Sequence, residues 1–180
     1  PSLRRPRKVS DPQQTMSRPD VTVDVVVFGL DRSSPPILNV LLIQRGRPGT
    51  AFEGCWAIPG GSVNKGEDLE EAARRELREE THAEPSYIEQ LGAFGKPGRD
   101  PRGHVVSVAY MALVRTDSLT ILGDDDAKEA RWWPLHQLPS TAFDHADILR
   151  TAVARLRLKV RWQPVGIDLL PHIFTLSDLQ

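Results

Sequence analysis

The sequence predicts a mixed α/β or α+β domain, with strands and two long helices layered around one core. Three observations support this fold class. The 180 residues are enough for one domain with a sizeable core and too few for two ordinary ones. Runs of β-branched residues alternate with clusters rich in proline and glycine, which indicates strands joined by turns. Two segments space their apolar residues with helical periodicity.

The β-branched and aliphatic runs give the strands. Residues 21–30 (VTVDVVVFGL) and 37–44 (ILNVLLIQ) are two of them, separated by a turn cluster. Residues 56–58 predict a short strand that enters Pro59-Gly60-Gly61, where a tight turn is expected. Later strands are predicted at 87–94, 104–114 and 130–133.

Two helices complete the predicted domain. The first is expected to begin at Glu67, where a carboxylate is favoured by the helix dipole, and to end near Thr81. The second runs from His145 to about Lys159, with Asp144 as its N-cap. Its apolar face consists of Ile148, Leu149, Ala152, Val153 and Leu156.

The domain is expected to occupy residues 21–180, and residues 1–20 to form a disordered arm. The arm carries Arg4, Arg5, Arg7 and Lys8 among prolines and polar residues, with almost nothing to bury. It is either a basic arm for nucleic acid or a remnant that precedes a true start at Met16. The segment 164–180 is apolar but aperiodic.

Composition narrows the class of protein. A formal net charge of −1 does not suggest attraction of the whole surface to nucleic acid. The single cysteine, Cys55, excludes an internal disulfide, indicates a reducing compartment, and is interpreted as a small packing side chain. No apolar run reaches the roughly 18 residues of a membrane span. We therefore expect a cytoplasmic protein without membrane contact.

The first helix carries carboxylates where core residues are expected. At about 100° per residue, Glu76 and Glu80 fall on the apolar stripe, with Glu79 at its edge and no cation on the stripe. Ionised carboxylates there should repel each other and lose hydration, and a hard divalent cation removes both penalties. The alternative is that this end of the helix overhangs solvent. The outer face is explained by i,i+4 pairs, Glu70 with Arg74 and Glu71 with Arg75.

Residues 61–83, GSVNKGEDLEEAARRELREETHA, resemble the Nudix box G-x5-E-x7-R-E-U-x-E-E-x-G-U, in which U is a bulky aliphatic residue. The matching positions are Gly61, Glu67, Arg75, Glu76, Leu77, Glu79 and Glu80. His82 replaces the last glycine, so it must continue the helix or adopt an unusual turn; a role as metal ligand is a further alternative.

The resemblance implies a Nudix fold, with a mixed sheet between helices, and assigns roles by position. Glu76, Glu79 and Glu80 would be metal ligands, and one of them could activate water. The Gly60 carbonyl would complete a site for Mg²⁺, with Mn²⁺ as the alternative, while Glu67 and Arg75 would hold loop and helix together. Some Nudix proteins take their base from outside the box; the candidates here are Asp124, Asp125, Asp126 and Glu129.

Three further stretches resemble the ADP-ribose pyrophosphatase branch of the family: Phe94–Tyr110, Phe143–Arg157 and the LLPHIFTLSDLQ segment. The implied reaction converts ADP-ribose and water to AMP and ribose 5-phosphate. Gly61 would bring the backbone close to this ligand.

Side chains outside the box could contact the same ligand. Arg45, Arg99 and Arg102 could contact its phosphates, since guanidinium matches their geometry. Phe52 or Trp56 could stack on the adenine, although Trp56 is also a candidate core residue.

The same extended pattern also resembles the Nudix-related transcriptional repressors of NAD metabolism, in which a winged-helix domain follows such a segment. The alternative function is therefore an ADP-ribose sensor, with DNA as a partner only if such a domain is missing from this chain. Enzymes resembling it often form homodimers, so a homodimer is expected. Intact carboxylates favour the enzyme.

Overall fold

The computed structural model describes residues 18–31, 33, 35–46, 48–85, 87–114 and 127–162. The strands are β1 Asp20–Leu30, β2 Leu38–Arg45, β3 Trp56–Ala57, β4 Gly60–Ser62, β5 Tyr87–Phe94, β6 Val105–Leu113 and β7 Ala127–Pro134. The helices are α1 Leu69–Thr81 and α2 His145–Trp162. The predictions for residues 1–17, for Asp124–Asp126 and for 164–180 lie outside the described residues.

Strand β1 occupies the middle of a mixed sheet. It pairs in parallel with β6, and antiparallel with β2 through residues Val27–Leu30. Its other half, Thr22–Asp24, pairs with β4, while β2 continues past β1 to pair with β3 at Ile43 and Gln44. Strands β1 and β2 therefore separate after four residue pairs, and the β3–β4 segment enters the gap between them.

The two faces of the sheet carry separate cores because strand side chains alternate. Val23, Val25 and Val27 face the core that contains α1, whereas Val26 and Phe28 face the core that contains α2. Helix α1 buries Ala72, Ala73 and Leu77, and α2 buries Ile148, Leu149, Ala152 and Leu156. This arrangement confirms the predicted mixed sheet between helices. No helix in the described part of the chain has the length and apolarity needed to cross a membrane.

Local differences from the prediction concern the start of α1 and the turn before β4. Asp68, not Glu67, caps the helix, and it forms a capping box with Glu71. The Glu71 carboxylate accepts a hydrogen bond from the Asp68 N–H at this cap. Glu70 and Arg74 form the expected ion pair at 3.0 Å. The tight turn predicted for Pro59-Gly60-Gly61 is shorter than expected: the chain reverses at Pro59, and Gly60 and Gly61 already belong to β4.

His82 ends α1 in the left-handed conformation, with φ 55° and ψ 20°. Its backbone N–H donates to the Arg78 carbonyl at 2.9 Å, which closes the last turn as a glycine would. Of the two outcomes expected for this position, the structure adopts the unusual turn. A residue with a Cβ is strained in this conformation.

We expect His82→Gly to raise the free energy of unfolding by about 1 kcal/mol, because glycine adopts this conformation without strain. His82→Ala keeps the Cβ and is the matched control, which should bring no such gain. Thermal and urea unfolding measure both variants. Equal stabilities for the two variants would show that the backbone conformation is not the source of strain.

Candidate active site

A cleft with a cavity volume of about 370 Å³ opens where β1 and β2 separate. Its walls come from β2, β4, α1 and the loop after β5. It brings together most of the predicted site residues: Arg45, Gly60, Gly61, Glu76, Glu79, Glu80 and Arg102. Glu67 and Arg75 contact each other, and Arg75 also contacts Glu76 and Glu79. Arg99 lines a smaller adjoining recess.

Arg75 connects the segment before α1 with the carboxylates on it. Its guanidinium contacts Glu67 at 2.7 Å, Glu76 at 2.7 Å and Glu79 at 3.1 Å, and donates to the Ser62 carbonyl at 3.0 Å. Hydrogen bonding to Arg75 lowers the pKa of Glu67 to about 2, and the same bond raises the pKa of Arg75. Arg75 lies off the apolar stripe of α1, and its long side chain brings a cation to Glu76 and Glu79 from beside it.

Glu80 lies deeper in the cleft than the other carboxylates of α1. The Gly60 N–H donates to Glu80 Oε2 at 2.8 Å, which ties the end of α1 to the start of β4. Burial raises the pKa of Glu80 to about 8, and the nearby carboxylates of Glu76 and Asp24 add to the shift. Burial also raises the pKa of Glu76, against the opposing effect of Arg75. Glu79 is exposed.

The two glycines of β4 have no space for a side chain. A Cβ on Gly60 would lie 2.2 Å from the Val23 carbonyl oxygen, and one on Gly61 would lie 2.4 Å from the Glu76 carboxylate. The carboxylate of Glu76 thus packs directly against the backbone of β4. Glycine at position 60 is a steric requirement of the backbone, whereas a side chain at position 61 would displace the Glu76 carboxylate.

The residues present suit a hard divalent cation. Among the described residues, no three His, Cys, Asp or Glu side chains already form a group that could hold a metal. The donors are nevertheless of the right chemistry, because carboxylate and carbonyl oxygens are what Mg²⁺ and Mn²⁺ prefer. Burial disfavours the ionised form of Glu80 and raises its pKa, and a bound cation would stabilise that ionised form.

A buried polar network lies beside the cleft, on the α2 side of the sheet. Arg99 is 4% exposed and donates to Asp144 at 2.7 and 3.0 Å and to Asp24 at 3.3 Å. Asp24 also accepts from the Ser107 hydroxyl and lies 3.5 Å from Nε2 of His145. Through Asp24 and Asp144, Arg99 links the loop after β5 to β1 and to the start of α2.

His145 connects this network with the segment between β3 and β4. Its Nδ1 accepts a hydrogen bond from the Ile58 N–H at 2.9 Å, so that nitrogen carries no proton. Burial lowers the pKa of His145, which keeps the ring neutral. Because Ile58 lies between β3 and β4, this hydrogen bond joins the start of α2 to the segment that connects the two strands.

The other predicted contacts have distinct surroundings. Arg45 is half-buried and donates to the Ala51 carbonyl at 3.2 Å, whereas Arg102 is 57% exposed and pairs with Asp100 at 2.6 Å. Phe52 packs against Phe143, with ring centroids 4.6 Å apart. Trp56 instead packs in the α2-side core, 5.2 Å from the ring of Trp133. Glu129 lies on β7 opposite Gln44 and is exposed.

Sequence reasoning did not identify Asp24, Phe143 or His145 as site residues. A signal existed for Asp24, since it is the one charged residue in the largely apolar run from Val21 to Leu30. A buried carboxylate in such a strand requires a partner, and that partner is Arg99. Asp144 was predicted as a helix cap, but its carboxylate accepts from Arg99.

In metal-free protein, we expect Glu80→Gln to be more stabilising at pH 8.5 than at pH 5. The folded pKa of Glu80, about 8, exceeds the unfolded value of 4.5, so its ionisation costs folding stability as pH rises through this window. Unfolding in urea with a chelator present measures the difference. Glu70→Gln on the exposed outer face is the control, and an equal pH dependence in the two variants would contradict the expectation.

We expect Asp24→Ala to lower the free energy of unfolding by about 3–5 kcal/mol, because Arg99 would lose a buried acceptor. Asp147→Ala removes an exposed ion pair with Arg150 and should cost about 1 kcal/mol or less. Urea unfolding compares the two. A similar small cost for both would show that the Asp24 network does not stabilise the fold.

Known proteins resemble this chain in sequence and structure. A 38% identical relative, the ADPR responsive transcriptional repressor NtrR of Acinetobacter baylyi, aligns over 90% of this chain and 64% of its own length. The ADP-ribose pyrophosphatase of Methanocaldococcus jannaschii is 45% identical over 62% of this chain and 64% of its own. The chain thus spans 64% of the length of each of these two relatives.

A solved structure with ligand is also similar. The NUDIX domain of Shewanella oneidensis NrtR, complexed with ADP ribose, is 37% identical and superposes with a TM-score of 0.69. The match covers 81% of this chain and 93% of that domain. The family model described as the NUDIX domain matches residues 18–155, which include the whole cleft. The resemblance of residues 61–83 is thereby confirmed, and the chain belongs to the NUDIX family.

Proposed function

We propose that this chain is a Mg²⁺-dependent pyrophosphohydrolase that cleaves ADP-ribose to AMP and ribose 5-phosphate. The observation that carries the proposal is one cleft with two kinds of groups. The carboxylates of Glu76, Glu79 and Glu80 and the guanidinium groups of Arg45 and Arg102 line this same cleft. Carboxylates suit a divalent cation, and guanidinium groups suit phosphate oxygens, so the cleft is suited to a metal-bound diphosphate.

The residues of the cleft have separate tasks in this proposal. Glu76, Glu79 and Glu80 hold the cation together with the Gly60 carbonyl, and one of these glutamates accepts a proton from the attacking water. When bound, Mg²⁺ or Mn²⁺ neutralises phosphate charge and lowers the pKa of water. Arg75 keeps Glu76 and Glu79 directed along one face, while Glu67 fixes Arg75. Gly61 lets the diphosphate approach the backbone.

The choice of ADP-ribose is supported by the relatives. The pyrophosphatase of M. jannaschii carries ADP-ribose in its name, and the S. oneidensis domain was crystallised with ADP ribose. ADP-ribose joins adenosine and ribose through a diphosphate, so both arginines would face the central phosphates. A cytoplasmic location, a role in NAD metabolism and a homodimer belong to the same proposal.

We expect Glu80→Gln and Glu76→Gln to lower kcat for ADP-ribose by about 100-fold or more, because each removes a charge from the proposed metal site. The matched control is Glu70→Gln, which lies on the outer face of α1 and should stay within about twofold of the parent. Product chromatography with Mg²⁺ measures AMP and ribose 5-phosphate.

The same assay should include NADH, diadenosine polyphosphates and oxidised nucleoside triphosphates. Faster turnover of one of these would keep the hydrolase and replace the substrate. Activity that survives in both variants would contradict the proposed roles of the glutamates.

A second candidate function is an ADP-ribose sensor within a transcriptional regulator. It is favoured by one observation, the 38% identity with the A. baylyi repressor over 90% of this chain. A sensor has to bind the ligand without turning it over. ADP-ribose that raises the melting temperature without forming AMP would favour the sensor, whereas multiple turnover would favour the enzyme.

A further inference from the structure

The ring of Phe143 lies close to both arginines of the cleft. The guanidinium carbon of Arg45 is 4.9 Å from the ring centroid, and that of Arg102 is 5.6 Å from it. Both distances are within the range at which a cation is attracted to an aromatic face. Phe143 precedes α2, whereas Arg45 ends β2 and Arg102 lies in the loop after β5. The ring therefore joins three separate segments of the chain.

The two cations are close enough to oppose each other. Burial lowers the pKa of Arg45, and the charge of Arg102 is the next largest cause. Arg102 is paired with Asp100, while Nε of Arg45 donates to the Ala51 carbonyl. Two like charges gathered at one ring gain most from an anion with several oxygens, and a diphosphate is such an anion.

The backbone around the ring is strained. Phe143 has φ 53°, and Phe52, which packs against it, has φ 61°. Bulky residues rarely adopt the left-handed region, and strain of this kind is concentrated at functional sites. Phe143 is also 5.2 Å from the ring of His145, which accepts a hydrogen bond from the Ile58 N–H. The surrounding contacts thus hold the ring in one place.

Resting on the proposed function, we propose that Phe143 is a positioning residue that presents Arg45 and Arg102 to the diphosphate of the substrate. It acts through the two arginines and does not stack on the nucleobase. The ring of Phe52 packs on Phe143, so the pair forms a support for the cations. This changes the expected role of Phe52, from adenine contact to support of Phe143.

The test measures binding of ADP-ribose and of inorganic pyrophosphate by calorimetry, with a chelator present so that hydrolysis is not required. Phe143→Leu should weaken both ligands about fivefold, because leucine fills space but offers no aromatic face. Phe143→Tyr keeps the face and should bind within about twofold of the parent. Phe94→Leu, in the α2-side core, is the control for loss of a ring elsewhere.

Two further readouts separate positioning from packing. In the Arg102→Met background, Phe143→Leu should lose much of its effect on pyrophosphate binding, as a double-mutant cycle would show. In the Mg²⁺ assay, Phe143→Leu should raise KM for ADP-ribose about fivefold and leave kcat within about threefold. If the leucine variant does not fold, Phe143→Met serves in the same cycle.

The remaining outcomes contradict either the role of Phe143 alone or the proposed function as well. Parent protein that binds neither ligand in chelator and forms no AMP from ADP-ribose with Mg²⁺ overturns the proposed function together with this inference. If the parent fails to bind only in chelator, an unchanged KM of Phe143→Leu in the Mg²⁺ assay overturns the inference alone. A parent that binds both, with the leucine variant unchanged, overturns the inference alone. Loss of ADP-ribose binding with pyrophosphate binding intact would mean that the ring stacks on the base. Fully additive effects of Phe143→Leu and Arg102→Met would show that the ring does not act through that arginine.

Discussion

The ion pairs of Arg75 are the interaction on which the cleft depends. Three carboxylates of one helix and its approach segment converge on this guanidinium, at 2.7 to 3.1 Å. Without it, Glu76 and Glu79 would repel each other at the edge of an apolar core. Since Arg75 also donates to the Ser62 carbonyl, the same side chain fixes the distance between α1 and β4. Geometry and charge balance therefore depend on one residue.

The position of the cleft follows from the sheet. Strands β1 and β2 pair over only four residues, and β3 and β4 then occupy the space between them. A sheet that separates in this way exposes backbone groups and polar side chains inside an otherwise apolar layer. Asp24 and Arg99 meet on one side of this opening, while Gly60 and Glu80 meet on the other. The buried Asp24–Arg99 ion pair and the groups suited to bind a ligand therefore lie at the same opening in the sheet.

Much of the fold could be predicted because it depends on local periodicity. The strand at 87–94 matched residue for residue, and the buried face of α2 matched at Ile148, Leu149, Ala152 and Leu156. The sequence left two ways for α1 to end at His82, continuation of the helix or an unusual turn. Helix propensity alone does not indicate that His82 adopts a positive φ. The start of α1 was misplaced by two residues, because Asp68 competes with Glu67 for the cap.

The glutamates were found from sequence because helical spacing alone places them on one face. The groups around the arginines were not, because they come from distant segments. Arg99 and Asp144 are 45 positions apart, and Ile58 and His145 are 87 apart. Arginine residues in a glycine-rich loop suggest phosphate contacts, yet burial gives Arg99 a structural partner and leaves Arg102 largely exposed. Only tertiary packing separates these roles.

Strain and desolvation lie close together around the cleft. Phe52, His82 and Phe143 adopt left-handed conformations, and burial raises the pKa of Glu80 to about 8. Each feature costs stability, and the rest of the fold must offset that cost. The compensation lies in two apolar cores, one on each face of the sheet. A domain of this size supports such a cleft because Phe52, His82 and Phe143 lie outside the strands and helices that build these cores.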